Sequence, residues 1–217
     1  MTRVAKPPRS FWLARTLRVT IGALISAAFR TKVIGRDNLP ATGGVVLAGN
    51  HISYADPVLL WIRSPRPVHF MAKSELWEIT IMGWFLDQVW TFPVNRGASD
   101  RTALAKAAGY LAAGEPVGIF PEGTRNRDGE AEAQGGAAFV ALRAGVPIVP
   151  VGIAGTDRIS PKGSKGIRFP KVVISIGEPI DPASFEGGRK ERVEAITARI
   201  MLRIGEELAR AGEVARS

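Results

Sequence analysis

Short apolar runs alternate along this chain with longer stretches of helical pattern, and this alternation limits the fold more than any other feature. Apolar runs at 45–48, 117–120 and 147–153 have the length of buried strands. The segments 98–113 and 193–211 have the residue spacing and composition of helices. Strands that alternate with helices predict an α/β domain.

The length and composition predict one domain with a full core. The chain has 217 residues, of which 46% are hydrophobic, so a single domain can bury a substantial interior. It has no cysteine and only two histidines, which excludes disulfide scaffolds and thiolate zinc sites and makes a histidine-built metal site a poor fit. We expect no metal and no cofactor.

Positive charge is concentrated near the start of the chain. The net charge is +9, and residues 1–36 contain eight basic residues and no acidic one. A second basic cluster consists of Arg158, Lys162, Lys165, Arg168 and Lys171. Such charge favours an anionic partner, for which nucleic acid, anionic lipid and phosphorylated metabolites all qualify. No nucleic-acid-binding motif is present, so we expect no nucleic-acid partner.

The first 30 residues predict a helical appendage to a domain at residues 31–217. A helix is expected from Ser10 to Phe29, but its longest uncharged run, Val19 to Phe29, is eleven residues, too short to cross a bilayer. Its mixture of aromatic, aliphatic and arginine residues fits an amphipathic helix lying at a membrane surface. A helix that covers the core and a secretory signal peptide are the alternatives.

The first segment with chemistry is the turn that follows the strand at 45–48. There His51 is expected in the turn, and Asp56 precedes Pro57, so Asp56 is expected to cap the next helix. A carboxylate that accepts from one imidazole nitrogen leaves the other free as a general base, here for a substrate hydroxyl. From these two residues alone, a loop histidine with a purely capping aspartate is the favoured interpretation.

Two further polar turns also follow predicted strands. Arg96 precedes Gly97 after one strand, an arrangement that suits a phosphate. After another strand come Glu122, Gly123, Thr124 and Arg125. Arg125 is a second candidate phosphate ligand, and Glu122 is a candidate to orient it or to bind a substrate hydroxyl. Solvated surface residues are the alternative at both turns. A fourth segment, 145–151, has no reactive group, and its two prolines predict an edge strand or irregular backbone that lines a pocket.

Together these segments resemble the PlsC-type 1-acylglycerol-3-phosphate acyltransferases. The four family blocks occur in family order. They are Asn50, His51, Ser53 and Asp56; Arg96-Gly97; Phe120 to Arg125; and Val146 to Val151. The chain departs from the pattern at Asn95, where many members have aspartate, and at Gly135, where many have lysine.

The resemblance implies both a fold and a reaction. It implies a mixed sheet flanked by helices, the glycerol-3-phosphate acyltransferase-like fold, docked on the cytoplasmic face of the cell membrane as a peripheral or monotopic protein. His51 would deprotonate the acceptor hydroxyl, and Asp56 would orient His51, with Asn50 and Ser53 in support. The acceptor phosphate would bind to Arg96, Gly97, Glu122, Gly123, Thr124 and Arg125.

The substrates implied are a thioester donor and a lysolipid. Acyl-CoA or acyl-acyl carrier protein would donate a fatty acyl group to 1-acyl-sn-glycerol-3-phosphate, giving phosphatidic acid for phospholipid biosynthesis. Another lysophospholipid or hydroxylated lipid is the alternative acceptor, and a non-catalytic lipid-binding protein is the alternative from a different class.

Overall fold

A computed structural model describes residues 11–94, 101–123, 133–161 and 166–217. The helices are α1 (Phe11–Ala28), α2 (Ala55–Arg63), α3 (Thr80–Gln88), α4 (Arg101–Ala112), α5 (Gly136–Ala144) and α6 (Arg189–Arg216). The strands are β1 (Lys32–Ile34), β2 (Val45–Gly49), β3 (His69–Lys73), β4 (Thr91–Val94), β5 (Pro116–Ile119), β6 (Ile148–Ala154) and β7 (Val173–Ile176). Most bounds lie within a few residues of those predicted, although α6 is longer at both ends.

The strands form one mixed sheet in the order β1-β7-β6-β2-β5-β3-β4. Five of them, β6, β2, β5, β3 and β4, are parallel to one another. β7 runs antiparallel to β6, and β1 runs parallel to β7. The carboxyl ends of the five parallel strands and the amino ends of β1 and β7 therefore lie at one edge of the sheet, here called the carboxyl edge. This mixed α/β architecture confirms the predicted fold class.

Helices cover both faces of the sheet. On one face α1, α2 and α3 pack over a core that contains Leu47, Leu59 and Val151. On the other face α4, α5 and α6 pack over a core that contains Val46, Leu111 and Ile200. Alternate residues of β2 therefore face opposite cores, as expected for a strand whose side chains point to both faces in turn and which is buried on each.

The prediction of an edge strand at the fourth segment is wrong. β6 lies inside the sheet between β2 and β7, and all seven of its residues are buried. Proline is accommodated at position 150 because pairing with β7 ends one residue away, at Val151 and Ile176. The Pro150 carbonyl accepts the Gly177 N–H at 2.9 Å, so the amide hydrogen that proline lacks falls at the end of the ladder.

Helix α1 is present as predicted and packs partly on the domain. Ile25 and Phe29 contact the core, and Gly22 lies so close to α2 that an added Cβ would stand 2.9 Å from Ile62 Cγ2. By contrast, Val19 and Leu24 are exposed. No helix among the described residues has both the length and the hydropathy to cross a bilayer. The membrane association of residues 1–30, and their separation from residues 31–217 as a domain, stay predictions.

Arg18 illustrates the packed side of α1. Its guanidinium lies 5.9 Å from the ring centroid of Trp61 on α2 and donates to the Ser64 carbonyl. Burial lowers the pKa of Arg18. This arginine therefore binds the protein itself, and other basic residues would have to supply any attraction to lipid headgroups.

Candidate active site

The candidate site begins where β2 ends at the carboxyl edge. His51 and Asp56 belong to the turn between β2 and α2, and Asp56 is fully buried. Asp56 Oδ2 lies 3.1 Å from His51 Nδ1, so the predicted approach of the carboxylate to the imidazole is present. A neutral imidazole that donates Nδ1–H to this carboxylate leaves Nε2 able to accept a proton.

Asp56 does not cap α2 as predicted. The helix begins at Ala55, one residue before Asp56, so Asp56 lies inside it. Tyr54 in the cap position makes no side-chain cap hydrogen bond. Instead Asp56 Oδ2 accepts the N–H groups of Ile52 and Ser53, each at 2.7 Å. The carboxylate thus folds back over the preceding turn. Pro57 fits the first helical turn because the amide at that position has no acceptor within the helix.

Two hydrogen bonds within the turn hold this geometry. The Asp56 N–H donates to the Ser53 carbonyl at 3.2 Å. The Ser53 hydroxyl oxygen accepts the Ala55 N–H at 3.3 Å, and the Ser53 side chain is buried. Ser53 therefore shapes the turn.

Asn50 connects the turn to the neighbouring strand. Its side-chain oxygen accepts the Ile153 N–H at 2.7 Å, and its side-chain nitrogen donates to the Ile153 carbonyl at 3.0 Å. Both bonds are buried, so one amide side chain satisfies the backbone of β6 where β2 ends. Asn50 thereby fixes the backbone immediately before His51.

Glu122 supports His51 from the other side. It follows β5, the other neighbour of β2, and its Oε2 accepts the backbone N–H of His51 at 3.1 Å. Neither of the two roles predicted for Glu122 anticipated this contact. Because the carboxylate is nearly buried, this charge-assisted bond can hold the main chain of the His51–Asp56 turn firmly.

Gly123 belongs to the turn after β5. Its backbone lies in the left-handed region, with φ of 65°, and its N–H donates to the Phe120 carbonyl at 3.0 Å. A Cβ at this position would meet the Gln134 side chain at 2.7 Å. Glycine is therefore favoured here by the left-handed backbone conformation, while a Cβ would also require the flexible Gln134 side chain to move.

Two phenylalanines that sequence reasoning gave no role form the wall beside His51. The Phe120 ring stacks on the imidazole with centroids 4.4 Å apart, and the Phe70 ring stacks on Phe120 with centroids 5.8 Å apart. The stack restricts rotation of the imidazole plane and complements the bond to Asp56. The signal in the sequence is the position of Phe120, which directly follows the last residue of β5.

Four predicted site residues, Arg96, Gly97, Thr124 and Arg125, lie outside the described residues, and so does Asn95. The structure does show where the chain leaves the sheet toward them, since β4 ends at Val94 and β5 at Ile119. Both ends are at the carboxyl edge, as is the end of β2 before His51. Gly135, the other departure from the family pattern, packs against α6, where a Cβ would lie 2.8 Å from Val193 Cγ1.

A family model described as acyltransferase matches residues 30–154, which include the whole His51–Asp56 turn and the Glu122 segment. The chain belongs to the PlsC-type acyltransferase family. A 1-acyl-sn-glycerol-3-phosphate acyltransferase of Bacillus subtilis is 34% identical to this enzyme over 185 residues, which are 84% of this chain and 90% of the relative. A second one, from Borreliella burgdorferi, is 31% identical over 78% of this chain and 69% of its own length.

A solved structure supports the same assignment. The crystal structure of the 1-acyl-sn-glycerophosphate acyltransferase PlsC from Thermotoga maritima matches this acyltransferase with a TM-score of 0.67 and 29% identity, over 88% of this chain and 81% of that one.

A lyso-ornithine lipid O-acyltransferase of Pseudomonas aeruginosa is 34% identical over 107 residues, 48% of this chain and 41% of its own length. Enzymes named for different acceptors thus resemble this acyltransferase.

Proposed function

We propose that this acyltransferase moves a fatty acyl group from acyl-CoA or acyl-acyl carrier protein to the free hydroxyl of 1-acyl-sn-glycerol-3-phosphate. The product would be phosphatidic acid for phospholipid biosynthesis. The observation that carries the proposal is the 3.1 Å contact between His51 Nδ1 and Asp56 Oδ2, at the end of a central strand in a chain of this family. The acceptor is taken from the names of relatives that match most of the chain.

The geometry supports general-base catalysis without an acyl-enzyme intermediate. His51 Nε2 removes the proton from the acceptor hydroxyl while the hydroxyl oxygen attacks the thioester carbonyl. The new carbon–oxygen bond forms, the carbon–sulfur bond breaks, and the departing thiolate takes the proton back from His51. Asp56 stabilises the transient imidazolium and holds the ring in the correct tautomer.

The acceptor phosphate is proposed to bind at the loops that follow β4 and β5. Arg96 and Arg125 would contact it directly, helped by Gly97, Glu122, Gly123 and Thr124. Support comes from topology, because both loops leave the carboxyl edge on the same side of β2 as Glu122, which itself touches the catalytic turn. Arginine suits this task because its planar guanidinium can donate two parallel hydrogen bonds to a phosphate.

A second acceptor class is favoured by one observation. The relative named lyso-ornithine lipid O-acyltransferase matches about half of this chain at an identity equal to that of the Bacillus subtilis relative. The same His51–Asp56 pair would serve a different lysolipid equally well, because the base acts on the hydroxyl and not on the headgroup. The headgroup loops would then decide the acceptor.

A lysolipid panel tests both acceptors. Purified full-length enzyme is incubated with acyl-CoA or acyl-acyl carrier protein and with lysophosphatidic acid, other lysophospholipids or lyso-ornithine lipid, and the products are read by mass spectrometry. We expect phosphatidic acid to form fastest. Turnover of lyso-ornithine lipid alone would replace the proposed acceptor. No acylation of any lysolipid with either donor would favour a non-catalytic lipid-binding protein.

Substitution of the two arginines tests the headgroup site. Arg96→Ala and Arg125→Ala are expected to raise KM for the acceptor about 10- to 150-fold, the usual range for a charge-assisted contact of about 1.5–3 kcal/mol, and to change donor KM much less. Equal losses for donor and acceptor would mean that these arginines bind the phosphates of CoA or hold the fold.

The enzyme is proposed to work as a peripheral or monotopic protein on the cytoplasmic face of the membrane, with α1 in the interface. The exposed Val19 and Leu24 support this position for α1. Removal of the residues before Thr31 is expected to release the protein from vesicles and to reduce turnover of bilayer substrates more than that of soluble short-chain ones. Equal vesicle binding by both proteins would leave α1 as a helix that only covers the core.

A further inference from the structure

Five large exposed apolar side chains outside α1 lie at the carboxyl edge, whereas the exposed Trp84 lies further along α3 and Leu202 lies on α6. The five fall in two groups, one at the start of α3 and one in the connection between β6 and β7. The first comprises Ile79, Ile81 and Met82, and the second comprises Ile167 and Phe169; all five are here called the edge surface. Ile81 and Ile167 are the most exposed, at 81% and 71%. Each group clusters its exposed apolar residues within four positions of the chain, and clustered exposed apolar surface marks an interaction site more often than scattered residues do.

The topology of the sheet places both groups at this edge. β3 ends at Lys73 on the carboxyl edge, and β4 begins at Thr91 on the opposite edge, so α3 has its first turn at the carboxyl edge. β6 ends at Ala154 and the antiparallel β7 begins at Val173, so their connection leaves and rejoins the sheet at the same edge. The edge surface is therefore a consequence of strand direction.

The two groups lie on either side of the catalytic turn. In the strand order, β2 stands between β6 on one side and β5 and β3 on the other. His51 follows β2, and the neighbouring Tyr54 is itself 72% exposed. A flat partner that touches both groups would lie over the turn that carries His51.

The charge next to the edge surface favours an anionic partner. From Arg158 to Lys171 the sequence has five basic residues and no acidic one. The Phe169 ring lies 5.3 Å from that of Phe29, and Arg30 donates to the Phe169 carbonyl at 3.1 Å. The basic segment is thus joined to the end of α1, where the sequence is also basic. Around α3, Glu75 is paired with Lys73 at 2.8 Å, and the exposed Glu78 directly precedes Ile79. The positive charge beside the edge surface therefore comes from the group between β6 and β7.

We propose that the edge surface docks on an anionic lipid bilayer, with apolar side chains of both groups below the headgroups and His51 facing them. Exposed aliphatic and aromatic residues beside basic ones are the composition of a membrane-surface element. The catalytic domain then contributes its own bilayer contacts in addition to α1. The proposal rests on the proposed function only in taking the acceptor to be a lipid.

Single cysteines test the proposal directly, because the chain has none of its own. Ile81→Cys and Ile167→Cys are labelled with a polarity-sensitive fluorophore in the full-length protein. Leu202→Cys is the matched control. Leu202 is 57% exposed, but it lies on α6, which covers the face of the sheet opposite to α3. With phosphatidylcholine–phosphatidylglycerol vesicles, labels at 81 and 167 should shift to the blue and the label at 202 should not.

A paired substitution gives the size of the effect. Ile81→Ser combined with Ile167→Ser should weaken vesicle binding about 10- to 100-fold, since burial of each aliphatic side chain contributes on the order of tenfold in affinity. Leu202→Ser should leave it unchanged. Both side chains are exposed, so the fold should survive, as circular dichroism can verify.

Several results would overturn the proposal. Labels at 81 and 167 that stay in water while the protein binds vesicles would make α1 the whole anchor. Blue shifts without lipid that grow with protein concentration would make the edge surface an interface between two copies of the chain. Unchanged vesicle binding by the paired variant would also overturn it. If the labels shift as expected but no lysolipid is acylated, the edge surface stands and the proposed function fails.

Discussion

The two histidines of this chain stand in opposite surroundings. His51 follows the carboxyl end of β2 and has the buried carboxylate of Asp56 at 3.1 Å. His69 begins β3 at the opposite edge, stacked on Tyr110 with centroids 3.9 Å apart and close to Trp90. Both rings are largely covered by an aromatic neighbour, so burial and stacking do not separate them.

The partner of the imidazole makes the difference. Asp56 lies where a positive charge on His51 would be stabilised. At His69, burial lowers the pKa to about 4, and a hydrogen bond with the Trp90 backbone offsets only part of the shift. His69 is therefore neutral throughout the physiological range and serves the packing, whereas His51, with its carboxylate partner, is the proposed general base.

The largest expected effect is the loss of activity when His51, the histidine with the carboxylate partner, is replaced. His51→Ala should lower kcat about 10²- to 10⁴-fold, the usual contribution of a positioned general base. His69→Gln is the matched control and should retain most activity, because it lies at the far edge of the sheet. Acyl transfer measured with purified variants of verified fold decides the matter. Full turnover by His51→Ala would end the proposed mechanism.

A smaller loss is expected when the partner alone is changed. Asp56→Asn preserves an oxygen that can accept the Ile52 and Ser53 N–H groups, so the turn should persist. The charge that stabilises the imidazolium is lost, and kcat should fall on the order of 10²-fold. An unchanged kcat together with a lower melting temperature would mean that Asp56 only holds the turn.

A further loss of activity is expected when the backbone of the His51–Asp56 turn loses its hydrogen-bond partner. Glu122→Ala removes the acceptor of the His51 N–H and should cost about 10-fold or somewhat more in kcat/KM, in line with one charge-assisted hydrogen bond. Glu122→Gln retains an acceptor oxygen and should recover part of the loss. If Glu122→Gln is as impaired as Glu122→Ala, the carboxylate charge is what matters, as it would be if Glu122 oriented Arg125.

The parts of the fold that sequence predicted well are those set by local pattern. The run from Val45 to Ala48 is apolar on both faces, and it forms a central strand buried on both faces. Helix α5 ends at Ala144, and Gly145 follows with the left-handed backbone that glycine adopts readily. The spacing of His51 and Asp56 also brought them together, because a tight turn at a helix start folds back over only a few residues.

The features that sequence reasoning missed depend on contacts between distant segments. The bond from His51 to Glu122 joins residues 71 apart in the chain, and the Asn50–Ile153 pair joins residues 103 apart. Such contacts follow from strand order, which the sequence alone did not fix. The interior position of β6 was missed for the same reason. Proline fits inside a sheet where the pairing with a neighbouring strand ends, and the sequence does not show where that end lies.

The smallest expected effect concerns His69, and it is a change in the stability of the protein with pH and not a change in catalysis. Because its folded pKa of about 4 lies below the unfolded value of about 6.5, the unfolded chain alone binds a proton between these values. Stability contributed by neutral His69 is thus complete at higher pH and is lost as pH falls from about 6.5 toward 4.

At pH 5.5 this linkage should lower the free energy of unfolding by about 1.4 kcal/mol relative to pH 8. His69→Gln does not titrate, so its stability should fall less over the same range. Denaturant unfolding of each protein at pH 8 and pH 5.5 gives the change in its free energy of unfolding. The pH-independent cost of the substitution cancels in that subtraction. Parallel pH profiles would mean that His69 becomes charged in the folded protein as easily as in water. The aromatic cage formed by Trp90 and Tyr110 would then exclude water less than its packing implies.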